Sequence, residues 1–235
     1  MFFNAVSNGE GTSYVPTALG SALMAVVFCA LLGGALYLIA KAAVSYRKKS
    51  EGGLPAPGRL TPKKLAFCAV AVALGIVLSN VKLFHFPTGG SITLLSMLVV
   101  CLPGYWFGLG AGLTTGLSYG LLQLVTNPYV VHPAQLVIEY FLAFGSLGLS
   151  GIFFREKNGL QKGYAASILG RWFFASLSGW IFFKEYAWEG WNPLLYSFAY
   201  NAIYILSEAA ISLLLLALPP IKGALAKVRN MALEK

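Results

Sequence analysis

The strongest constraint on what this chain can fold into is where it keeps its charge. From Thr17 to Leu218, apolar runs of about membrane length follow one another, and Lys and Arg gather in the short segments between them. In hydrocarbon every backbone polar group must be paired within the chain, so such runs are read as spanning helices of roughly 20 residues. Composition agrees. The chain is 57% hydrophobic and 11% charged, with a mean hydropathy of +0.71, values outside the range of soluble domains. Its 235 residues leave room for about seven spans and no soluble domain.

The expected spans run near Thr17–Ala40, Lys64–Leu83, Ser91–Leu102, Gly104–Val125, Ala134–Phe154, Tyr164–Phe183 and Tyr196–Leu218. Thr61-Pro62 is the start signal of the second. The third is short, and its continuation through Pro103 is open. The N-terminal stretch "MFFNAVSNGEGTSYVPT" lacks Lys and Arg, and the apolar run after it is too long for a signal peptide, so it reads as a genuine first span. The net charge of +9 marks topology rather than nucleic-acid binding. Fourteen of the seventeen basic residues fall in the Lys41–Lys64 linker, in "REKNGLQKG" and in the C-terminal tail, all consistent with one cytoplasmic face. This predicts a multi-pass plasma-membrane protein with its N-terminus outside and its C-terminus inside.

Glycines at 104, 108, 112, 116 and 120 line one side of a helix, as ordinary close helix packing requires. Ala69 and Ala73 make a similar small pair on the second span. Cys29, Cys68 and Cys101 all lie in apolar runs and read as small core residues.

Ionisable groups inside a bilayer are functional candidates by default, and there are few: Glu139, Arg171 and Glu208. Arg171 calls for an internal partner, and Glu208 is the candidate for a structural ion pair. Glu139 lies near the outer end of its span, below polar connections. Those connections include "EYAWEGWNPLLYSFAYN", residues 185–201, which collects aromatics and amides between two apolar runs. A carboxylate walled by Tyr and Trp is how a protein holds an organic cation, through countercharge and cation–π attraction. Asn201 would read donors and acceptors on a heteroaromatic ring. An interfacial aromatic belt explains Trp188 and Trp191 well, but Tyr196, Tyr200 and Asn201 less so.

His85 and His132 are isolated loop residues without metal-ligand spacing. There is no HExxH, GxSxG or phosphate loop, so no enzymatic activity and no cofactor are expected of this chain.

Three stretches, "PTGGSITLLSML", "VVHPAQLVIEYFLAFGSLGLSGIF" and "EYAWEGWNPLLYSFAYN", resemble the thiamine-specific substrate-binding (S) component of energy-coupling-factor (ECF) vitamin transporters, over roughly Leu60 to Leu218. The resemblance implies an all-α, six-helix membrane protein that captures thiamine from outside. It further implies docking onto a transmembrane coupling subunit driven by two ATPase subunits, with Ala69 and Ala73 at that interface. Carried over by position, the family's binding residues fall on Glu139, Tyr140, Tyr186, Tyr196 and Asn201, with Asn192-Pro193 as the turn before the last helix. Ala175 stands where the family often has His, and Phe183 where Trp is frequent.

The resulting expectation is a thiamine-binding S component with an extra N-terminal helix and basic linker over residues 1–60. The six-helix domain covers 61–221 and a basic cytoplasmic tail 222–235. Glu139 is the expected countercharge; Tyr140, Phe183, Trp172 and Tyr196 the aromatic cage; Asn201 the pyrimidine reader; "FHFPTGG" the lid. The alternatives are an S component for a thiamine precursor or another heteroaromatic vitamin, and an intramembrane enzyme or structural assembly protein.

Overall fold

The computed structural model describes residues 3–8, 11–20, 22–23, 26, 61–86 and 90–234. At the N-terminus β1 (Phe3–Asn8) pairs antiparallel with β2 (Gly11–Pro16), a hairpin the sequence did not announce. Thr17 Oγ1 then accepts from Gly20 N, and residues 18–20 are helical, where the first span is expected to begin. The remainder of that span and the basic linker, residues 27–60, lie outside the described residues.

Six helices follow in the expected order. Helix α1 (Pro62–Asn80) opens where Thr61 accepts from Lys64 N and Pro62 occupies the first turn. It stops short of Leu83 because Val81 is extended and the chain enters β3 (Lys82–His85), which pairs antiparallel with β4 (Ser91–Thr93). Within the "FHFPTGG" loop, Pro87, Thr88 and Gly89 lie outside the described residues.

The third expected span is displaced. Helix α2 covers Ser96–Phe107 rather than starting at Ser91, and it runs through Pro103. Leu95, just before it, is left-handed at φ 59°, a conformation that costs an ordinary residue roughly 1–2 kcal/mol. Gly108, at φ 98°, joins α2 directly to α3 (Leu109–Thr126).

Helix α4 (Pro133–Phe153) changes gauge along its length. It is π-helical over Val137–Ala143 and a tight 3₁₀ helix over Ser146–Phe153. Then come α5 (Gly159–Phe182), a 3₁₀ turn at Lys184–Tyr186, and α6 (Pro193–Ala217), which Asn192 caps by accepting from Leu194 N and Leu195 N. Helices α1, α4 and α6 are long and apolar enough to cross a membrane.

Lipid is as apolar as leucine, so close backbone packing, more than burial, holds such helices together. The glycine row supplies it within the chain. A Cβ at Gly112 would strike Gly148 backbone; at Gly116, that of Phe144 and Gly145; at Gly120, that of Tyr140. The small face of α3 therefore receives α4, the helix that carries Glu139. Cys68 and Cys101 are buried free thiols, as expected; Cys29 lies outside the described residues.

The predicted basic tail is mostly a further helix, α7 (Pro219–Leu233). It is tied back at its end. Lys63 Nζ donates to Glu234 O at 2.7 Å, and Arg229 lies over the Tyr105 ring and donates to Phe154 O.

Candidate functional site

Helices α2 to α6, the β3–β4 hairpin and Ser79 at the end of α1 line a cavity of about 610 Å³, within the ~300–1,000 Å³ range of small-molecule sites. Glu139 faces it from the π-helical stretch of α4. Such bulges recur at functional sites because they re-aim side chains, and here Glu139 and the next residue, Tyr140, both line the cavity. The Glu139 carboxylate accepts from Gln135 Nε2 at 2.6 Å and from Ser178 Oγ at 3.2 Å. Gln135, fully buried, also donates to Tyr129 O. Two donors fix the orientation of a carboxylate that has room for about four bonds.

The other expected binding residues are distributed as follows. Tyr196, Asn201, Phe183 and Tyr186 line the same cavity. Asn201 Nδ2 donates to Ser197 O at 2.8 Å, and its Oδ1 accepts from the Tyr204 hydroxyl. Tyr196 stacks on Tyr200 at 5.9 Å and 15°, with Trp188 edge-on. Phe183 stacks on Tyr129 at 5.6 Å and 21°. Tyr186 stands 55% exposed at the rim, and its hydrogen bond to Tyr129 pushes that phenol above its ordinary pKa. Tyr140 contributes a ring to the wall, while its hydroxyl is engaged with the 127–129 backbone: it accepts from Tyr129 N and donates to Asn127 O.

Trp172 is the exception. It is 2% exposed, lies outside the cavity wall, donates through Nε1 to Phe198 O at 3.1 Å and packs edge-on against the Phe198 ring. It is a packing residue between α5 and α6. The face of α5 that meets the cavity is the i, i+4 row Arg171, Ala175, Gly179 and Phe183, and Trp172 is rotated about 100° from it.

The expected Arg171–Glu208 ion pair does not form. Glu208 accepts from Thr93 N, Thr93 Oγ1, Ser96 Oγ and Met97 N. The Arg171 guanidinium instead lies 4.2 Å from the Phe144 ring centre, with buried Nε and Nη1 lacking hydrogen-bond partners. Four donors from one short stretch, two of them backbone N–H groups, occupy the carboxylate instead.

Sequence reasoning missed Gln135, Ser178 and Tyr204 as supports of the site. The first was legible in its i, i+4 spacing to Glu139; the other two arrive from separate helices. His132 caps α4 by accepting from Ala134 N, and His85 Nδ1 lies 2.7 Å from Ser91 Oγ. Among the described residues no group of three or more His, Cys, Asp or Glu is placed to hold a metal. Away from the residues that line the cavity, Ala69 and Ala73 stand exposed on α1 beside Val70, Leu74 and Val77.

A carboxylate, a carboxamide and several ring faces around one cavity can hold a flat heteroaromatic cation. Comparison with known proteins points the same way. Residues 65–227 match the model of the family "Thiamine transporter protein (Thia_YuaJ)". The thiamine transporter ThiT of Bacillus subtilis (strain 168) is 32% identical over 171 residues, spanning 66% of this chain and 88% of that protein. The solved structure of ThiT from Listeria monocytogenes superposes with a TM-score of 0.56 at 30% identity, over 67% of this chain and 94% of that one. On these matches, the chain belongs to the thiamine transporter protein family.

Proposed function

We propose that this chain is the thiamine-binding S component of an ECF-type importer that captures thiamine from the outer face of the membrane. The observation that carries the reading is the convergence of Glu139, Tyr196, Asn201 and Phe183, from three elements, on one cavity of about 610 Å³. Glu139 balances the ligand's positive charge, Tyr196 and Phe183 offer ring faces, and Asn201 hydrogen-bonds the pyrimidine edge. Gln135 and Ser178 hold the carboxylate in place. Calorimetric titration of the purified chain with thiamine tests this. Tight saturable binding is expected, weakened roughly 10–100-fold in E139Q and in N201A, the loss of a charge-assisted or ring-reading hydrogen bond in a buried site. Wild-type affinity in both variants would reject the assignment of these residues.

The exposed small-residue face at Ala69 and Ala73 supports docking onto a membrane coupling subunit, with ATP hydrolysis supplied by two partner ATPases. The basic connections support a cytoplasmic C-terminus. Ala175, which lines the cavity, favours a second reading: a thiamine precursor or analogue with the same pyrimidine, since Ala offers no hydrogen-bonding group there. A calorimetric panel of thiamine against its isolated pyrimidine moiety ranks the two.

A further inference from the structure

Glu208 stands in the middle of α6, buried at 2% exposure, and lines the cavity. Yet its carboxylate is not offered to a ligand, because its acceptor positions are taken by four donors from one short stretch. Thr93 N and Thr93 Oγ1 reach Oε2 at 3.0 and 2.6 Å; Ser96 Oγ and Met97 N reach Oε1 at 3.4 and 3.2 Å. That stretch is the junction between β4 and α2. It contains Leu95, one of two non-glycine residues with positive φ among the described residues. It also lacks a cap of its own, since Leu95 makes no side-chain bond to the first turn of α2. Helix α2 is thus capped from across the fold, and the strained turn is held by a carboxylate some 110 residues away in sequence.

Thr93, Ser96 and Met97 all line the cavity. The same hairpin is fastened further along by Tyr200, whose hydroxyl accepts from Gly90 N at 2.8 Å, and by Phe86 packed edge-on against the Tyr200 ring. Strained backbone persists where surrounding structure over-determines it, and such places are common where a protein switches between arrangements. Deprived of Glu208, the junction has both the freedom to relax and a reason to.

We propose that Glu208 is a positioning residue for ligand retention: it holds the β4–α2 junction against its own backbone strain, and so keeps one wall of the cavity in the conformation that retains the bound cation. This rests on the reading of the cavity as the thiamine site. The role is distinct from that of Glu139, whose carboxylate faces the ligand with acceptor capacity to spare.

The test uses the full chain in lipid nanodiscs, with thiamine binding followed by stopped-flow tryptophan fluorescence and amide exchange followed by mass spectrometry. In E208Q the dissociation rate is expected to rise roughly tenfold or more while the association rate changes little, the pattern of a loosened rather than discharged site. Amides of residues 91–97 should exchange faster even without thiamine. T93V, which removes one donor and leaves all charges in place, should shift both readouts in the same direction by less, and its effect should not add to that of E208Q. An unchanged dissociation rate together with unchanged exchange at 91–97 in E208Q would overturn the proposal. So would a salt-dependent fall in association rate that T93V does not share, which is the mark of direct charge attraction. Should E208Q fail to fold, T93V alone decides by the same two readouts. If the wild-type chain binds no thiamine, the functional reading fails, and the exchange comparison still decides whether Glu208 holds the junction.

Discussion

Glu139 and Trp172 illustrate how far single residues can be read. Both are polar-capable groups in apolar helices, and both were expected in the site. Glu139 lines the cavity, oriented by Gln135 and Ser178, because a half-buried carboxylate must find donors and the spanning helices offer few. Trp172 is not, because its indole N–H found a closer acceptor in Phe198 O. The physical difference predicts different behaviour. W172F should lower the melting temperature, from loss of a buried hydrogen bond worth ~1–3 kcal/mol, while thiamine affinity stays within about twofold of wild type by the near-independence of sites without shared partners. F183W should act in the opposite sense. Phe183 is on the cavity wall, Trp is the stronger partner for a cation, and a gain of about 0.5–1 kcal/mol is expected in binding. Calorimetry and thermal unfolding on the two variants separate the roles; an affinity loss in W172F larger than that in E139Q would contradict the placement of Trp172.

Among the elements, α4 decides the geometry of the site. Its π-helical turn sets Glu139 and Tyr140 toward the cavity, and its narrow 3₁₀ half, with Gly148 and Gly151, fits the glycine row that leads into and along α3. Gly120 bears directly on this, since an added Cβ would collide with Tyr140 O and crowd Phe144 Cβ. G120A should therefore cost roughly 1–3 kcal/mol of stability by overpacking, and it should weaken thiamine binding as well by displacing the turn that carries Glu139. G223A, where an added Cβ meets nothing, is the control and should do neither. Thermal unfolding and calorimetry measure both effects; unimpaired binding in a folded G120A would contradict the coupling.

The order of helices and the close-packed glycine face were legible in the sequence, because they follow from hydropathy and small-residue spacing, and six of the seven binding residues expected from motif line the cavity. The gauge changes in α4, the late start of α2 and the Glu208 cap were not. Each depends on donors and acceptors supplied across the fold, to which a linear pattern is blind. Helix α7 was missed because a short, basic, Pro-initiated segment reads as a tail until its contacts with Lys63, Tyr105 and Phe154 are seen.

At the scale of the molecule, the cavity and the exposed alanines of α1 occupy different stretches of the fold. The cavity draws on α1 only at its end, at Ser79, and otherwise on α2 to α6 and the β3–β4 hairpin, while Ala69 and Ala73 are exposed two to three turns earlier on α1. If α1 meets the coupling subunit, bulky substitutions there should separate binding from transport. A69L/A73L should retain thiamine affinity within about twofold, since the sites share no contacts, yet abolish uptake in cells that express the partner subunits. Parallel loss of both would place these alanines in the fold rather than at an interface.

The proposed function rests on a cationic vitamin held between the Glu139 carboxylate and the Tyr196 and Phe183 rings, with Asn201 on its pyrimidine edge. An experimental structure of the chain purified with thiamine measures this directly. Ligand density within hydrogen-bond distance of Glu139 and Asn201, flanked by those rings, is the predicted result. Density elsewhere in the molecule, or Glu139 turned away from a bound ligand, would contradict it.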